Sequence, residues 1–330
     1  MSFKPEGIFP ALPTPISDDG SINYEAAENH IEYLEENGVH GIVPAGCTGH
    51  AATLGDHGGE NLEYDEHVEF VRRISEMTDL PVIAGDGMNS TQQTLELASR
   101  IEEEADIDAH LMISPYQNCP PQDLIIEHYE TLAENLEKPI IAYNVPGRTG
   151  RNIEAETTVE LARIDGVIGI KEASLDFRQI HEIGRRLEAA ENISISSTAS
   201  EGSGQEEGLS DFYFGSGDDA ANHYVFEQGG SFGISVSANV HPEGVVDVWR
   251  LGFQEEDAQA AFERNRELRP LHDAMFQQGE KNPISVQYAV NLLGFDFGTP
   301  RAPLNRRPRE DEEYENRTEI RNVLENQGLI

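Results

Sequence analysis

Lysine is nearly absent from this sequence of 330 residues. Lys4, Lys138, Lys171 and Lys281 are the lysines, and arginine supplies the rest of the 23 basic residues. Acidic residues number 61, which gives a formal net charge of −38 and a pI near 4.4. A chain with so few cations lacks the basic face that nucleic-acid phosphates require, and anionic membrane surfaces are disfavoured for the same reason. The charge balance therefore excludes nucleic acid as a partner.

Cysteine and long apolar runs are also scarce. Cys47 and Cys119 are too few for a disulfide framework and lack the spacing of a zinc site. The histidines show no His-Glu-x-x-His pattern, so we expect no metal. No stretch approaches about 18 consecutive apolar residues, and the first residues lack the apolar run of a signal peptide. The sequence therefore predicts a cytoplasmic protein with no membrane span.

The acidic residues are spread over predicted helix surfaces and are not gathered in one tail. Such dispersed acidity, with lysine almost absent, is typical of a halophilic protein, because high salt screens the self-repulsion of a large net charge. An ordinary acidic protein is the alternative. Loss of fold or activity in dilute buffer without salt distinguishes the halophilic protein from the ordinary one.

Short apolar runs alternate with amphipathic helices along most of the chain. The runs lack the period-two alternation of a half-exposed sheet, which favours a parallel sheet covered by helices. Eight such units favour a closed (β/α)₈ TIM barrel, an α/β fold, over an open doubly wound sheet. A Rossmann fold has little support, since Gly85-Asp86-Gly87 lacks the third glycine of the dinucleotide fingerprint. The predicted strands lie at 7–15, 41–46, 81–85, 109–114, 139–144, 167–171, either 193–197 or 212–215, and 232–236.

The barrel is expected to occupy residues 1–255. Residues 256–330 contain no further strand pattern and predict a C-terminal helical region, which we expect to form contacts in an oligomer. The segments 56–64 and 198–211 interrupt the repeating pattern and are predicted to be inserted surface loops.

Lys171 ends the apolar run Val167-Ile168-Gly169-Ile170. An amine at the end of a buried strand is partly desolvated, which disfavours its ammonium form and leaves a nucleophile near neutral pH. Such an amine can form a Schiff base with a carbonyl substrate, so no separate cofactor is needed. A lysine that reaches from the strand end to water is the structural alternative.

The carboxyl ends of the other strands supply neighbours for Lys171, because a barrel gathers its functional groups at that face. Tyr143 ends the preceding strand and is placed to shuttle protons. The Gly46-Cys47-Thr48-Gly49 loop offers N–H groups and a hydroxyl to a keto acid's carboxylate. Arg148 carries a planar guanidinium suited to hydrogen-bonding a second carboxylate. Tyr116 and Ile234 complete the set. Structural alternatives exist for these residues. A strand-end tyrosine can be an amphipathic residue at the barrel rim, the residues from Gly46 to Gly49 can form only a tight turn, and Arg148 can be a solvated loop residue.

These residues and the motifs around them resemble the dihydrodipicolinate synthase and N-acetylneuraminate lyase family of pyruvate-dependent class I aldolases. The resemblance covers nearly the whole chain. Its motifs are Phe9 to Pro15, Gly46-Cys47-Thr48-Gly49 with Ala52-Thr53-Leu54, Ser114-Pro115-Tyr116, Tyr143 to Gly150, Gly169 to Ser174, Ile234-Ser235-Val236 and Asn282-Pro283-Ile284.

The resemblance implies a barrel, Lys171 as the residue that forms a Schiff base with pyruvate, and Tyr143 as proton donor and acceptor. It also implies that Thr48 and the Ile234 backbone contact pyruvate, that Arg148 contacts the second substrate's carboxylate, and that the protein is a homotetramer. The segment from Tyr143 to Gly150 is most similar to dihydrodipicolinate synthase, which condenses pyruvate with aspartate semialdehyde.

Three positions depart from the family pattern. Cys47 stands where the loop usually carries a first hydroxyl residue, His50 replaces a glutamate, and Gln117 replaces a second tyrosine after Tyr116. The first hydroxyl residue and the second tyrosine form a proton relay in the synthase, and a thiol and an amide are poor substitutes for them. Two further hypotheses therefore stay open: a 2-keto-3-deoxy sugar acid aldolase or dehydratase, which joins or releases a different aldehyde, and an inactive keto-acid-binding barrel.

Overall fold

The computed structural model describes residues 3–55, 64–191, 193–195, 210–276, 282–304 and 315–330. Its strands are β1 Gly7–Pro10, β2 Ile83–Gly85, β3 Ala109–Ile113, β4 Ile140–Asn144, β5 Val167–Glu172, β6 Ile193–Ile195, β7 Ser210–Ser216 and β8 Phe232–Ser235. Its helices are α1 Tyr24–Glu36, α2 Asp65–Ser75, α3 Thr91–Glu104, α4 Gln122–Asn135, α5 Pro146–Thr149, α6 Ala155–Leu161, α7 Phe177–Glu188, α8 Asn222–Glu227, α9 Pro242–Trp249, α10 Ala258–Met275, α11 Asn282–Leu292 and α12 Glu315–Asn326.

The strands pair in parallel in the order β1-β8-β7-β5-β4-β3-β2. The gap between β1 and β2 is filled by residues 41–44, which form parallel bridges from Val43 to Ala11 and from Ile42 to Val82. Leu12 N–H donates to the Val43 carbonyl oxygen on one side, and Ile83 N–H donates to the Ile42 carbonyl oxygen on the other, both at 3.0 Å. These bonds close the sheet, which confirms the predicted (β/α)₈ barrel, although the segment expected as the second strand contributes only isolated bridges.

The seventh barrel strand is β7, the second of the two runs proposed from the sequence. β7 pairs with β5 through residues 213–216 and with β8 at its carboxyl end. The other run, β6, pairs with the first part of β7 instead of standing in the ring. Most of the two predicted insertions, namely residues 56–63 and 198–209, lies outside the described residues.

Two apolar layers hold the barrel together, as expected for strands buried on both faces. One fills the interior and the other lies between the strands and the helices. The interior layer includes Phe9, Val43, Ile83, Leu111, Ile141, Tyr213 and Phe232.

The helices after α9 form a further layer that packs against the barrel. Leu271, Met275, Val286 and Leu324 from α10, α11 and α12 share one apolar cluster with Val236, which follows β8. α10 also contacts α8 and the 3₁₀ turn Asp219–Ala221 after β7. None of the described helices is long and apolar enough to cross a membrane.

A buried charged triad lies between β3 and α3. His110 Nδ1 is 2.5 Å from Asp86 Oδ2, and His110 Nε2 is 3.0 Å from Glu102 Oε1. Burial by itself disfavours the imidazolium, but the charge of Asp86 and the hydrogen bonds to both carboxylates outweigh it and raise the pKa of His110 to about 9. Breaking such a network is costly because it leaves buried charge without a partner.

We predict that His110→Leu lowers the free energy of unfolding at pH 7 by about 3–5 kcal/mol, the usual cost of breaking a buried pair. The pKa of His110 is raised on folding, so its stabilisation is full below the unfolded pKa of about 6.5 and is lost as the pH rises through about 9. The difference between wild type and variant should therefore shrink between pH 7 and pH 10, as measured by urea unfolding at constant salt.

His30→Leu is the matched control. Burial lowers the pKa of His30 to about 4, so its imidazole is neutral at both of these pH values. The loss of unfolding free energy caused by His30→Leu should therefore be the same at pH 7 and at pH 10. An equal cost for His110→Leu at pH 7 and pH 10 would contradict an imidazolium in the triad.

Candidate active site

The pairing of β4 with β5 places Lys171 beside Tyr143. The two residues are register partners, and Asn144 pairs with Glu172 one position later. Side chains alternate between the faces of a strand, so Lys171 and Tyr143 point into the barrel while Asn144 and Glu172 point toward the helices. The predicted strand-end lysine therefore reaches the interior of the barrel mouth.

The outward pair holds the ends of both strands. The buried Glu172 carboxylate accepts hydrogen bonds at 2.8 Å from Asn144 Nδ2 and from Gln179 Nε2 of α7. Asn144 Oδ1 accepts from the Ile153 N–H at 2.9 Å. Because both strand ends are fixed from outside, the inward side chains keep their relative position.

Lys171 Nζ lies 4.1 Å from the centroid of the Tyr143 ring, and each residue is 6% exposed. Burial lowers the pKa of Lys171 to about 8. An appreciable part of the amine is therefore neutral near physiological pH, as nucleophilic attack on a carbonyl requires.

Cys47 lies next to this pair. Burial raises the pKa of Tyr143 well above its ordinary value, and the nearby Cys47, a hydrogen-bond partner of Tyr143, raises it further. Burial likewise raises the pKa of Tyr116, with a further contribution from Cys47. A thiol therefore lies near both phenols, at the point where the family pattern has a hydroxyl.

The Gly46–Gly49 turn is held against the end of β1. Thr14 Oγ1 donates to the Gly49 carbonyl oxygen at 2.5 Å. A Cβ atom on Gly49 would lie 2.8 Å from the Leu12 carbonyl oxygen, so only glycine allows this approach. The turn thus brings Cys47 and Thr48 to the barrel mouth.

Asn282 joins two of the predicted residues. Its Nδ2 donates to Thr48 Oγ1 at 2.8 Å, and Arg148 Nη2 donates to its Oδ1. Arg148 is carried by the short helix α5 and not by an open turn. Asn282 was missed as a site residue, although the Asn282-Pro283-Ile284 motif marked its place in the sequence.

A cavity of about 610 Å³ opens beside these groups. Cys47, Tyr116 and Arg148 line it together with His50, His67 and Met88. Ile234 lies elsewhere, buried in the barrel interior. Gln117 is exposed and, among the described residues, is not one that lines the cavity. The structure therefore brings Lys171, Tyr143, Cys47, Thr48, Tyr116 and Arg148 to one end of the barrel. Ile234 and Gln117 do not line this cavity.

Two acids and a glycine after β7 also belong to the site. Burial and the neighbouring charge of Asp219 raise the pKa of Asp218 to about 6, and both acids act on Lys171. A Cβ atom on Gly217 would lie 2.9 Å from Lys171 Cε and 2.7 Å from Ala173 Cβ. Sequence reasoning missed these residues because it left the seventh strand undecided between two runs.

Comparison with known proteins gives the same family over the whole molecule. Residues 4–327 match the model described as "Dihydrodipicolinate synthetase family". The chain is 40% identical over 324 residues to a 4-hydroxy-tetrahydrodipicolinate synthase of Haloarcula marismortui, covering 98% of this chain and 95% of the relative. It is 38% identical over 299 residues to the 4-hydroxy-tetrahydrodipicolinate synthase of Archaeoglobus fulgidus, covering 91% and 92%.

Solved structures show the same likeness. The crystal structure of a dihydrodipicolinate synthase from Thermotoga maritima superposes with a TM-score of 0.84 at 34% sequence identity. The match covers 98% of this chain and 99% of that one. The barrel and the helices that follow it therefore have a counterpart in a known protein.

We predict that Gly217→Ala lowers kcat/KM for pyruvate by about 10- to 100-fold, because the added methyl group displaces Lys171 from Tyr143 and small misplacements are costly in catalysis. Steady-state kinetics measure the effect. Gly147→Ala is the control, since a Cβ atom there meets nothing within 4 Å. Unchanged kinetics for Gly217→Ala would show that the lysine tolerates displacement.

Proposed function

The chain belongs to the dihydrodipicolinate synthetase family, and we propose that it is a 4-hydroxy-tetrahydrodipicolinate synthase that condenses pyruvate with aspartate semialdehyde. The protein is accordingly an enzyme of the lyase type. The observation that carries the proposal is the buried pair of Lys171 and Tyr143 at the barrel mouth, with Nζ 4.1 Å from the ring centroid. We propose that pyruvate is bound covalently by Lys171, so that no separate cofactor is required.

The first step is attack by the neutral Lys171 amine on the C2 carbonyl carbon of pyruvate. The C=O bond opens to an alkoxide, which takes up a proton to give a carbinolamine. Loss of water then forms the C=N bond of the Schiff base. Tyr143 supplies and recovers these protons, because its raised pKa keeps the phenol protonated and able to donate.

The pyruvate carboxylate is assigned to the Gly46–Gly49 turn, with Thr48 and the backbone at Ile234 as its contacts. The hydrogen bond from Asn282 Nδ2 orients the Thr48 hydroxyl. A hydroxyl that already accepts one hydrogen bond is free to donate its own proton to a carboxylate oxygen. These contacts place the C3 methyl group so that loss of a proton yields the enamine.

The second substrate is assigned to the cavity lined by Cys47, Tyr116 and Arg148. The enamine carbon attacks the aldehyde carbon there, the aldehyde oxygen takes up a proton, and the C=N bond to Lys171 is restored. Addition of the amino group of aspartate semialdehyde, or of water, to C2 then breaks this bond and returns the free Lys171 amine. The Arg148 guanidinium holds the carboxylate of aspartate semialdehyde. Because the two planar groups can pair through charge-assisted hydrogen bonds, Arg148 favours this substrate over a neutral aldehyde. Asn282 fixes Arg148 in place.

The thiol at Cys47 and the exposed position of Gln117 favour a second candidate, a 2-keto-3-deoxy sugar acid aldolase or dehydratase. A thiol is a weaker hydrogen-bond donor and acceptor than a hydroxyl, so the relay that serves cyclisation is altered here. Schiff-base formation at Lys171 is common to both activities. An inactive keto-acid-binding barrel has less support, because Lys171 and Tyr143 keep a reactive geometry.

We also propose that the protein is a homotetramer and that it works in the cytoplasm of a halophile. Leu175 and Phe177 support assembly, since they are 47% and 46% exposed and follow the lysine strand. Apolar side chains exposed together in this way suit a contact between subunits. The net charge of −38 supports the requirement for salt.

We predict that borohydride reduction with pyruvate adds one reduced pyruvate to the wild-type protein and none to Lys171→Ala, as read from the intact mass. The rate of trapping should rise with pH and level off above about 8, because the neutral amine attacks. An adduct of the same yield on Lys171→Ala would remove the mechanism. A wild type without any adduct would instead favour the inactive barrel.

We predict that Arg148→Leu raises KM for aspartate semialdehyde by about 10- to 100-fold, the loss of one charge-assisted bidentate contact, with little effect on trapping of pyruvate. Coupled assays with pyruvate plus aspartate semialdehyde, and in parallel pyruvate plus glyceraldehyde, measure the change. Turnover with the glyceraldehyde pair alone would rule out the synthase and establish the sugar acid aldolase.

A further inference from the structure

A chain of buried hydrogen bonds runs from the acids beside Lys171 into the C-terminal helices. Asp219 Oδ2 accepts from the Ser237 N–H at 2.8 Å, and Ser237 Oγ is 2.8 Å from His272 Nδ1 on α10. His272 Nε2 is 3.2 Å from Asn265 Oδ1, seven residues or about two turns earlier in the same helix. All four residues are buried. Buried polar groups linked in this way hold one another in a unique arrangement.

The contacts of Asn265 determine the tautomer of His272. Asn265 Nδ2 donates to the Ala220 carbonyl oxygen at 3.1 Å and to His223 Nδ1 at 2.9 Å, so both of its N–H bonds are used. Asn265 Oδ1 must then accept, and His272 Nε2 carries the proton. His272 Nδ1 is left as an acceptor for the Ser237 hydroxyl. One neutral tautomer thus satisfies every partner.

Hydrogen bonds of this network hold the turn after β7 from two sides. Asn265 holds the carbonyl oxygen of Ala220, within the 3₁₀ turn Asp219–Ala221. Ser237, Val236 and Ser235 hold the Asp219 carboxylate from the segment after β8, at 2.8, 3.0 and 2.5 Å. His272 connects these two sets of hydrogen bonds, because it contacts both Ser237 and Asn265.

The turn matters because it carries the acids that act on Lys171. Burial lowers the pKa of Lys171 and Arg148 lowers it further, whereas Cys47, Asp219 and Asp218 raise it. The amine is also packed on the Tyr143 ring. A displacement of the turn changes the distance from both carboxylates to the amine, and Coulomb interactions inside a protein are sensitive to distance.

We propose that His272 is a positioning residue for Lys171: by joining Ser237 to Asn265 it fixes the Asp219–Ala221 turn, and so the distance of the Asp218 and Asp219 carboxylates from the lysine amine. The inference rests on the proposed function, since it concerns the amine that forms the Schiff base. The C-terminal helices thereby contribute to the chemistry without contacting the substrate.

Three substitutions at His272 separate the two bonds. His272→Leu removes both, His272→Asn keeps an acceptor for Ser237, and His272→Gln keeps a donor for Asn265. The readouts are kcat/KM for pyruvate and the pH midpoint of pyruvate trapping by borohydride. For His272→Leu we expect the midpoint to fall by about half a unit, because loosened carboxylates raise the amine pKa less, and kcat/KM for pyruvate to fall about tenfold. The two amides should give intermediate midpoints.

His128→Leu is the matched control. His128 is also buried and pairs with a hydroxyl, Thr91 Oγ1, at 2.8 Å, but it lies on α4. The His128→Leu variant should lose thermal stability, but its pH midpoint of pyruvate trapping should not shift. The same outcome for all three His272 variants would overturn the inference, and His272→Asn and His272→Gln decide the case should His272→Leu fail to fold. A wild type that traps no pyruvate would remove the proposed function and this inference with it.

Discussion

The register between β4 and β5 is the constraint on which the site depends. It sets Lys171 opposite Tyr143 inside the barrel and Asn144 opposite Glu172 outside it. A shift of one residue would turn the amine toward the helices and bring Glu172 into the mouth. The outward hydrogen bonds of Glu172 oppose such a shift, because a buried carboxylate without them would be costly.

Within this geometry the amine of Lys171 is held by opposing influences. Burial and Arg148 disfavour the ammonium form, and the acids after β7 favour it. Burial prevails, which leaves an amine with a pKa of about 8 and not one of ordinary basicity. The acids after β7 thus offset part of the desolvation of Lys171, while its amine remains a nucleophile near neutral pH.

The C-terminal helices complete the site from two directions. Asn282 at the start of α11 joins Thr48 to Arg148, and His272 on α10 joins the turns after β7 and β8. A barrel alone would present Lys171 and Tyr143, but its loops would lack these anchors. The region that the sequence led us to expect in oligomer contacts therefore also contacts the candidate active site of its own chain.

The sequence alone determined the fold class, the lysine and most of its neighbours. Parallel strands buried on both faces leave an apolar pattern that can be read directly, and a lysine at the end of such a run is conspicuous in a chain with so few lysines. Only the tertiary structure decided that β7 and not β6 stands in the ring, that Gln117 is exposed, and that Asn282, Gly217 and the two acids belong to the site. The physical reason is range: periodicity records how each segment is buried, whereas these contacts join residues that are distant along the chain and leave no local pattern.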